Sequence, residues 1–374
     1  MRICFFGNLQ SVHLQRRVRN FVEKGHEVHI ITREPSEIVD VHVHVFVSHS
    51  ISSFFYKIPI IARLFYSLHK YFEINRLKKL INKINPDLID AHYLTDYGIL
   101  ASKINFHPLV ITCWGSDILI APAKFGEKHV KEMEKALTRA DLVIVASRYM
   151  EEELIKMGIN KNIIVNPFGV DVSKFNPHGK KIGAMKEKYG GKKIIINTRN
   201  LEPVYDVECL IKAFSYVIKQ NNNVILLICG GGSLEDNLKR LTNNLGMDKY
   251  IHFLGKISHE RMPNYLRSAD IYVSTSLSDG TSISLLEAMT CGIFPIVTDI
   301  PGNRPWITHD KNGFLFEKGD YDKLSELILK SIGSKELIKN AAKINQEIVK
   351  EKGNWEKNIK EIENLYANLV ERYC

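Results

Sequence analysis

The sequence has no cysteines spaced as C-x-x-C. Its six cysteines, Cys4, Cys113, Cys209, Cys229, Cys291 and Cys374, stand far apart, several of them inside apolar, strand-like runs. A free thiol in such a run behaves as a small hydrophobe, so neither a disulfide framework nor a cysteine-built zinc site is expected. No apolar run reaches the ~18 residues of a membrane-crossing helix. The opening "MRICFFGN" enters a strand within two residues, so no secretory leader is expected. There is no long basic tail. These absences point to a reduced, cytoplasmic protein.

What is present is a chain of 374 residues, too long for one ordinary core, and two domains are expected. Composition is that of a globular protein, 45% hydrophobic and 25% charged. Lys+Arg 51 against Asp+Glu 42 gives a net charge of +9. That balance favours anionic partners, whether nucleotide phosphates, anionic lipid or nucleic acid, and does not choose among them.

Short apolar runs alternate with helix-period segments along the whole chain. "RICFFG", "EVHIIT", "VHVHVFV", "LIDAHYL", "PLVITCWG", "LVIVAS" and "IIVNPFG" read as strands in the first half. "KIIINTR", "NVILLICGG", "YIHFLG", "DIYVSTS", "FPIVTD" and "GFLFEKG" do so in the second. Segments such as "LQRRVRNFVEKGH" and "DVECLIKAFSYVIKQ" read as helices between them. Repeated β-then-α alternation predicts parallel sheets covered by helices. It occurs twice, so the expected fold is α/β with two doubly wound domains. The break falls near "NPFGVDVSKFNPHGKKIG", rich in Pro, Gly and Lys. The expected division is residues 1–171, residues 172–353 and a final helical segment, 354–374. In such sheets ligands bind outside the strands' carboxyl ends.

One motif follows a strand in this way. "SDGTSISLLEAMTCG", residues 278–292, places Asp279 eight positions before Glu287. A helix beginning near Ser282 would offer its first free amides, with Gly280 and Thr281 allowing close approach, as an anion site. Glu287 then lies roughly 7–9 Å further along the axis at ~1.5 Å per residue. A diphosphate at the helix start would put a sugar toward Asp279 and a ribose toward Glu287, which suits a nucleotide-sugar. The plainer alternative is a helix cap at Asp279 and Ser282 with Glu287 on a wet face.

From Asp279 through "LEAMTCGIFPIVTD" the chain resembles the acid-x7-acid motif of family 4 retaining glycosyltransferases, the group 1 enzymes of GT-B fold. The resemblance runs almost the whole length and keeps the family's order. "GNLQSVHLQRRVRNFVEKGHEVHIIT" resembles the amino-terminal glycine loop and first helix. "NPDLIDAHYLTDYG" and "TCWGSD" resemble acceptor-side loops, and "IIVNPFGVDVSKFNP" the interdomain crossing. "TRNLEPVYDVECLIKAF" and "CGGGSLEDNLKRL" resemble donor-domain loops, and "TDIPGNRPWITHDKNGFLFEKGD" closes the match. The resemblance implies two Rossmann-like domains facing a cleft, with the final helix crossing back onto the first domain. It also implies roles. Glu287 hydrogen-bonds ribose, Asp279 touches the transferred sugar, and amides near Ser282 and Ile283 face the sugar and distal phosphate. Arg199 clamps the diphosphate, for which a fixed charge and forked donors are suited; a surface arginine is the alternative. Gly7 and Asn8 bring backbone to the phosphates, and Gly231 lies in a tight turn near the nucleotide.

Three positions depart from the family pattern. The first acid is Asp279, one methylene shorter than the usual Glu. Tyr205 stands where a lysine is usual, which removes one positive charge and leaves a phenol donor. Trp114 stands where many members carry histidine; it cannot accept a proton, and that role is lost or shared with Asp117, itself a candidate helix cap.

Smaller signals have simpler readings. Asp320 and Asp322 precede a helix and read as capping residues. His42 and His44 share one strand face with no acidic or cysteine partner expected nearby, so a wet face is expected rather than a metal site. His13 opens a helix and faces either the expected cleft or solvent. Residues 51–72, "ISSFFYKIPIIARLFYSLHKYF", interleave aromatics with basic residues. They suit either a peripheral contact with the inner membrane face or a core helix with a basic outer side.

The expected activity is transfer of a hexosyl-type sugar, with retention, from a UDP- or GDP-sugar to a hydroxyl acceptor. No cofactor and no metal ion are expected, and no nucleic-acid partner. Surface polysaccharide or glycolipid synthesis, with a glycan or lipid-linked acceptor, is what the resemblance implies. The alternatives are a nucleotide-sugar 2-epimerase of the same fold, a non-catalytic binder of sugar nucleotides, and a nucleic-acid binder resting on the +9 charge alone.

Overall fold

A computed structural model describes residues 1–34, 37–46, 59–160 and 162–373. The chain divides into two units, one of Met1–Asn166 with Ile359–Cys374, the other of Pro167–Asn358.

The apolar runs of the first unit form β1 (Arg2–Phe6), β2 (Glu27–Thr32), β3 (His42–Val45), β4 (Leu88–His92), β5 (Leu109–Thr112), β6 (Leu142–Val145) and β7 (Ile163–Val165). They pair in parallel in the order β3-β2-β1-β4-β5-β6-β7. Strands buried on both faces need no polar alternation. In β1, Cys4 and Phe6 join one apolar cluster, while Phe5 on the other face meets Phe21 of the Val12–Glu23 helix.

The second unit repeats the plan with β8 (Lys193–Asn197), β9 (Val224–Ile228), β10 (Ile251–Phe253), β11 (Ile271–Ser274), β12 (Phe294–Thr298) and β13 (Phe314–Phe316). Their order is β10-β9-β8-β11-β12-β13, again all parallel. Ile195 packs into one core and its neighbours Ile194 and Ile196 into the other, the period-2 signature of a sheet covered on both sides.

Each sheet reverses its strand order once, between β1 and β4 and between β8 and β11. These are the topological switch points where loops diverge and leave room for a ligand.

The last helix, Trp355–Glu371, starts in the second unit and ends in the first. Its start is stitched to the segment after β7: Val170 N donates to Gly353 O at 2.7 Å and Trp355 N to Val170 O at 3.0 Å. From Ile359 onward it adds Ile359, Ile362, Tyr366 and Leu369 to the buried residues of the first unit.

Of the stretch singled out for membrane contact, residues 51–58 lie outside the described residues. The remainder opens the Pro59–Ile84 helix. Tyr71 and Phe72 on it are exposed, whereas Leu77, Ile81 and Ile84 are buried. Among the described residues, no helix is long and apolar enough to cross a membrane.

One sequence premise is corrected here. His42 and His44 do have an acidic neighbour: parallel pairing sets His29 against His42, and Glu27 lies beside them. Sequence separation hid it, because the partner sits on a different strand.

Candidate functional site

The turn after β8 is fixed by buried Asn197, which donates to Val273 O at 2.9 Å and accepts from Arg199 N at 3.1 Å. Arg199 is thereby aimed at the loop after β11. Its Nη2 meets Asp279 Oδ2 at 2.7 Å, and its Nη1 donates to Ser282 Oγ at 2.9 Å and Ser284 Oγ at 3.0 Å. The guanidinium also lies 4.2 Å over the Tyr205 ring. Burial works against its charge, but Asp279, with Tyr205 and Tyr272, outweighs that and raises its pKa. The result is a fixed positive charge at the start of the Ile283–Thr290 helix.

Ser282 caps that helix, accepting from Leu285 N at 3.3 Å. Thr281 is buried and bonds back to Gly280 O at 2.9 Å, which folds the loop over itself. Gly302 permits the packing. A Cβ there would lie 2.2 Å from the Asp279 carbonyl oxygen. Any other residue at 302 would force one of these two backbone segments to shift.

Further along the helix Glu287 is 7% exposed, and its Oε1 accepts from His259 Nε2 at 3.1 Å. The His259 ring packs on Phe175 with centroids 5.1 Å apart. Gly231, after β9, accepts from Leu201 N at 3.1 Å, tying its turn to the loop that follows Arg199. Glu202 and Ser233 close the same two loops through bonds of 2.9 and 2.6 Å.

At the switch point of the first unit, β1 runs into Gly7 and Asn8, and β4 into Tyr93. Gly7 is enclosed: a Cβ would lie 2.5 Å from Leu14 Cδ2 and 3.3 Å from His92 Cβ. Asn8 is exposed and accepts from Gln10 N at 2.9 Å. A cavity of ≈ 450 Å³ opens here, with Asn8, Ser11, Arg33, His92, Asp96 and Trp114 among its lining residues. Tyr93, also on its wall, has φ 78°, the left-handed region a bulky residue rarely adopts, and starts a π-helical turn over Leu94–Gly98. Such strain persists only where surrounding structure enforces it.

Here Tyr93 N donates to Thr112 O at 3.0 Å and Leu94 N to Asp117 Oδ2 at 2.9 Å, and a buried polar cluster lies close by. Asp90 Oδ1 accepts from Thr112 Oγ1 at 2.8 Å, and Oδ2 from His92 Nε2 at 2.8 Å, Arg17 Nη1 at 3.2 Å and the Tyr366 hydroxyl. Burial would raise the Asp90 carboxyl, but His92, Arg17 and Tyr366 hold it down at about 2. Burial lowers the His92 pKa and keeps that ring neutral. Trp114 Nε1 donates to His92 Nδ1 at 3.2 Å, so the ring proton is on Nε2 and points at Asp90. The His13 ring meets Trp114 edge-on at 5.6 Å. Asp117 is fully buried, and its carboxylate accepts from the backbone N–H groups of Leu94, Trp114 and Gly115, each at 2.9 Å. Burial raises its carboxyl, and those amides oppose the rise. In this structure it joins the loops after β4 and β5.

The structure therefore gathers Arg199, Tyr205, Asp279, Ser282, Ile283 and Glu287 around one helix start in the second unit. Gly7, Asn8 and Asp117 lie in the first. Sequence reading missed Ser284, Tyr272 and His259, and it missed the Asp90–His92 pair. Of these only the last left a signal, two polar residues at i and i+2 inside the otherwise apolar "LIDAH". Asp320 caps the Tyr321–Gly333 helix, accepting from Lys323 N at 2.9 Å.

Two parallel-sheet α/β units, each with its functional loops at a switch point, define a GT-B-type protein. Residues 180–348 match the family model for glycosyl transferases group 1, and residues 2–147 match that for glycosyl transferase 4-like domains. The chain is 23% identical over 372 residues to the N-acetyl-alpha-D-glucosaminyl L-malate synthase of Bacillus anthracis, covering 94% of this chain and 92% of the relative. It is 25% identical over 357 residues to the UDP-Gal:alpha-D-GlcNAc-diphosphoundecaprenol alpha-1,3-galactosyltransferase of Escherichia coli, covering 92% and 89%. The solved structure of Anabaena HepE with UDP-glucose superposes with a TM-score of 0.81 at 19% identity, over 99% of this chain and 100% of that one. The chain belongs to the group 1, family 4 glycosyltransferases and is a glycosyltransferase of GT-B fold.

Proposed function

We propose that the chain transfers a hexosyl-type sugar from a UDP- or GDP-sugar to a hydroxyl acceptor, with retention and without a catalytic metal. One observation carries this reading: the permanently charged Arg199 is held by Asp279, Ser282 and Ser284 at the amino end of the Ile283–Thr290 helix. A diphosphate arriving there meets a guanidinium, two hydroxyls and free backbone amides. It competes with Asp279 for Arg199, and the released carboxylate turns to a sugar hydroxyl. Glu287 takes the ribose hydroxyls, with His259 steering its carboxylate. Tyr205 supports Arg199 through its ring face, a contact worth roughly 0.5–2 kcal/mol, in place of adding a second cation.

As the glycosidic bond breaks, negative charge grows on the departing phosphate, and the Arg199 cluster stabilises it. The acceptor oxygen attacks from the same face and passes its proton to that phosphate. The two relatives that handle UDP-sugars by name support the donor class, and the Escherichia coli one, whose acceptor is a diphosphoundecaprenol-linked sugar, supports a lipid-linked acceptor. The cavity beside Trp114, Tyr93 and Tyr97 is the acceptor site in this reading, since aromatic walls with a few polar groups suit a sugar.

The test is a thermal-shift panel of nucleotide-sugars in EDTA, followed by product analysis with candidate acceptors. The true donor raises the melting point, and the product keeps the donor's anomeric configuration. Arg199→Ala lowers kcat by about 10²–10³-fold, the usual loss for one removed transition-state donor. Epimerised donor in the absence of acceptor would make the chain an isomerase instead, and unchanged turnover in Arg199→Ala would put the leaving group elsewhere.

A further inference from the structure

At the opposite end of the first sheet lies a cluster that sugar transfer does not use. Glu27 and His29 sit two residues apart on β2 and so share a face. The parallel register places His42 of β3 directly opposite His29. One ligand atom from each of Glu27, His29 and His42 lies within 4.8 Å of the other two. His29 is the buried member; Glu27 and His42 are exposed. His29 Nε2 is 3.0 Å from Glu27 Oε1, and His29 Nδ1 is 3.0 Å from His44 Nε2. The His29 ring stacks on His42 at 4.6 Å and lies parallel to His44 at 5.4 Å. Arg2 Nε holds the other carboxylate oxygen of Glu27, Oε2, at 2.8 Å.

We propose that Glu27, His29 and His42 form a binding site for a first-row divalent cation of the zinc class, tying the edge strand β3 to β2. Two imidazoles and one carboxylate are a donor set that zinc, cobalt and nickel accept, and calcium and magnesium do not favour. The sheet itself supplies the spacing, through an i, i+2 pair on one strand and a cross-strand partner on the next. The cation would sit on His29 Nε2, replacing the proton now directed at Glu27 Oε1. The His29 Nδ1 proton would then point at His44 Nε2, the outer hydrogen bond that fixes the tautomer of a metal-bound histidine. Arg2 stays on Oε2 and leaves Oε1 for the metal. A fourth position remains for water.

The site's place in the fold separates it from catalysis. Glu27 pairs with Arg2 at the amino end of β1, whereas Gly7, His92 and Trp114 lie at or just beyond carboxyl ends. His29 itself pairs with Cys4, so Gly7 lies three residues further along the chain, at ~3.3 Å per residue. The cation is therefore an inter-strand tie. The strand it fastens is short: β3 has four residues and, among the described residues, pairs only with β2.

The experiment uses the full chain, stripped of metal by dialysis against a chelator. Zinc is titrated in competition with a chromophoric chelator, and cobalt is followed by its visible absorption. One equivalent should bind. His42→Ala and Glu27→Gln should each weaken that binding at least about ten-fold, and His44→Ala should weaken it by ~10-fold through the outer hydrogen bond. Zinc should raise the melting temperature of the parent and not of His42→Ala, while the two melt together without metal. A parent that takes up no zinc overturns the proposal, as does a His42→Ala protein that binds zinc like the parent. His42 is exposed, so its loss tests the site even where Glu27→Gln, by releasing Arg2, impairs folding.

Discussion

Glu287 has one carboxylate oxygen committed to His259 and is almost closed off from solvent. A carboxylate so placed is costly unless something else bonds to it, and in the proposed function ribose hydroxyls are those partners. Glu287→Ala should weaken donor binding by about 1–3 kcal/mol, the cost of lost hydrogen bonds at a buried site. Calorimetry with the donor found in the panel measures it. Undiminished affinity in a folded Glu287→Ala protein would remove this residue from the nucleotide site. The acid pair was legible at this scale because both members lie on one local motif. Tyr205 was legible only as a departure. Its stacking under Arg199 depends on a turn whose shape no spacing rule gives. His259 was invisible, since it stands 28 residues from Glu287 on a loop without periodicity.

Strands and helices were the most readable level, because burial on both faces writes continuous apolar runs and helices write a 3.6-residue period. Register was not readable, and register is what puts His29 against His42 and Asp90 beside Thr112. The final helix shows what such contacts do. Tyr366 reaches back to Asp90 on β4 and stacks on Phe21 at 5.4 Å. Removing its hydroxyl in Tyr366→Phe should cost roughly 1.5–3 kcal/mol at pH 7, the worth of a bond to a buried charge. Acid should weaken the same layer in two stages. His92 stays neutral when folded, so stability falls once the unfolded chain begins to take up that proton, below about pH 6.5. The depressed Asp90 carboxyl contributes stability that is present above about pH 4 and is lost as pH falls toward about 2. Urea midpoints across this range check both. A parent equally stable at pH 7 and pH 5, or a Tyr366→Phe protein as stable as the parent, contradicts the assignment.

For the whole molecule, the first unit is assembled from two distant pieces of sequence and the second from one. Deleting residues 359–374 takes Ile359, Ile362, Tyr366 and Leu369 out of the first unit's buried set and leaves the second unit's sheet as it was. Hydrogen exchange should therefore accelerate in residues 1–166 and stay near parental rates in β8 through β13. Equal acceleration in both units would show that they unfold as one. The two-domain plan itself was legible in the repeated alternation of strand and helix. That the closing helix joins the first unit was legible only through the family resemblance, because "NWEKNIKEIENLYANLVERYC" itself carries no mark of which unit it will join.

That split also sets an order of events on the ribosome. The first 166 residues emerge early, carrying the Arg17 and Asp90 charges, while Tyr366 is still untranslated. The first unit is thus completed only after the residues of the second have been made. Until residues 359–374 follow, the apolar surface that Ile359, Ile362, Tyr366 and Leu369 cover in the finished fold stays open, the kind of exposure that invites misassembly.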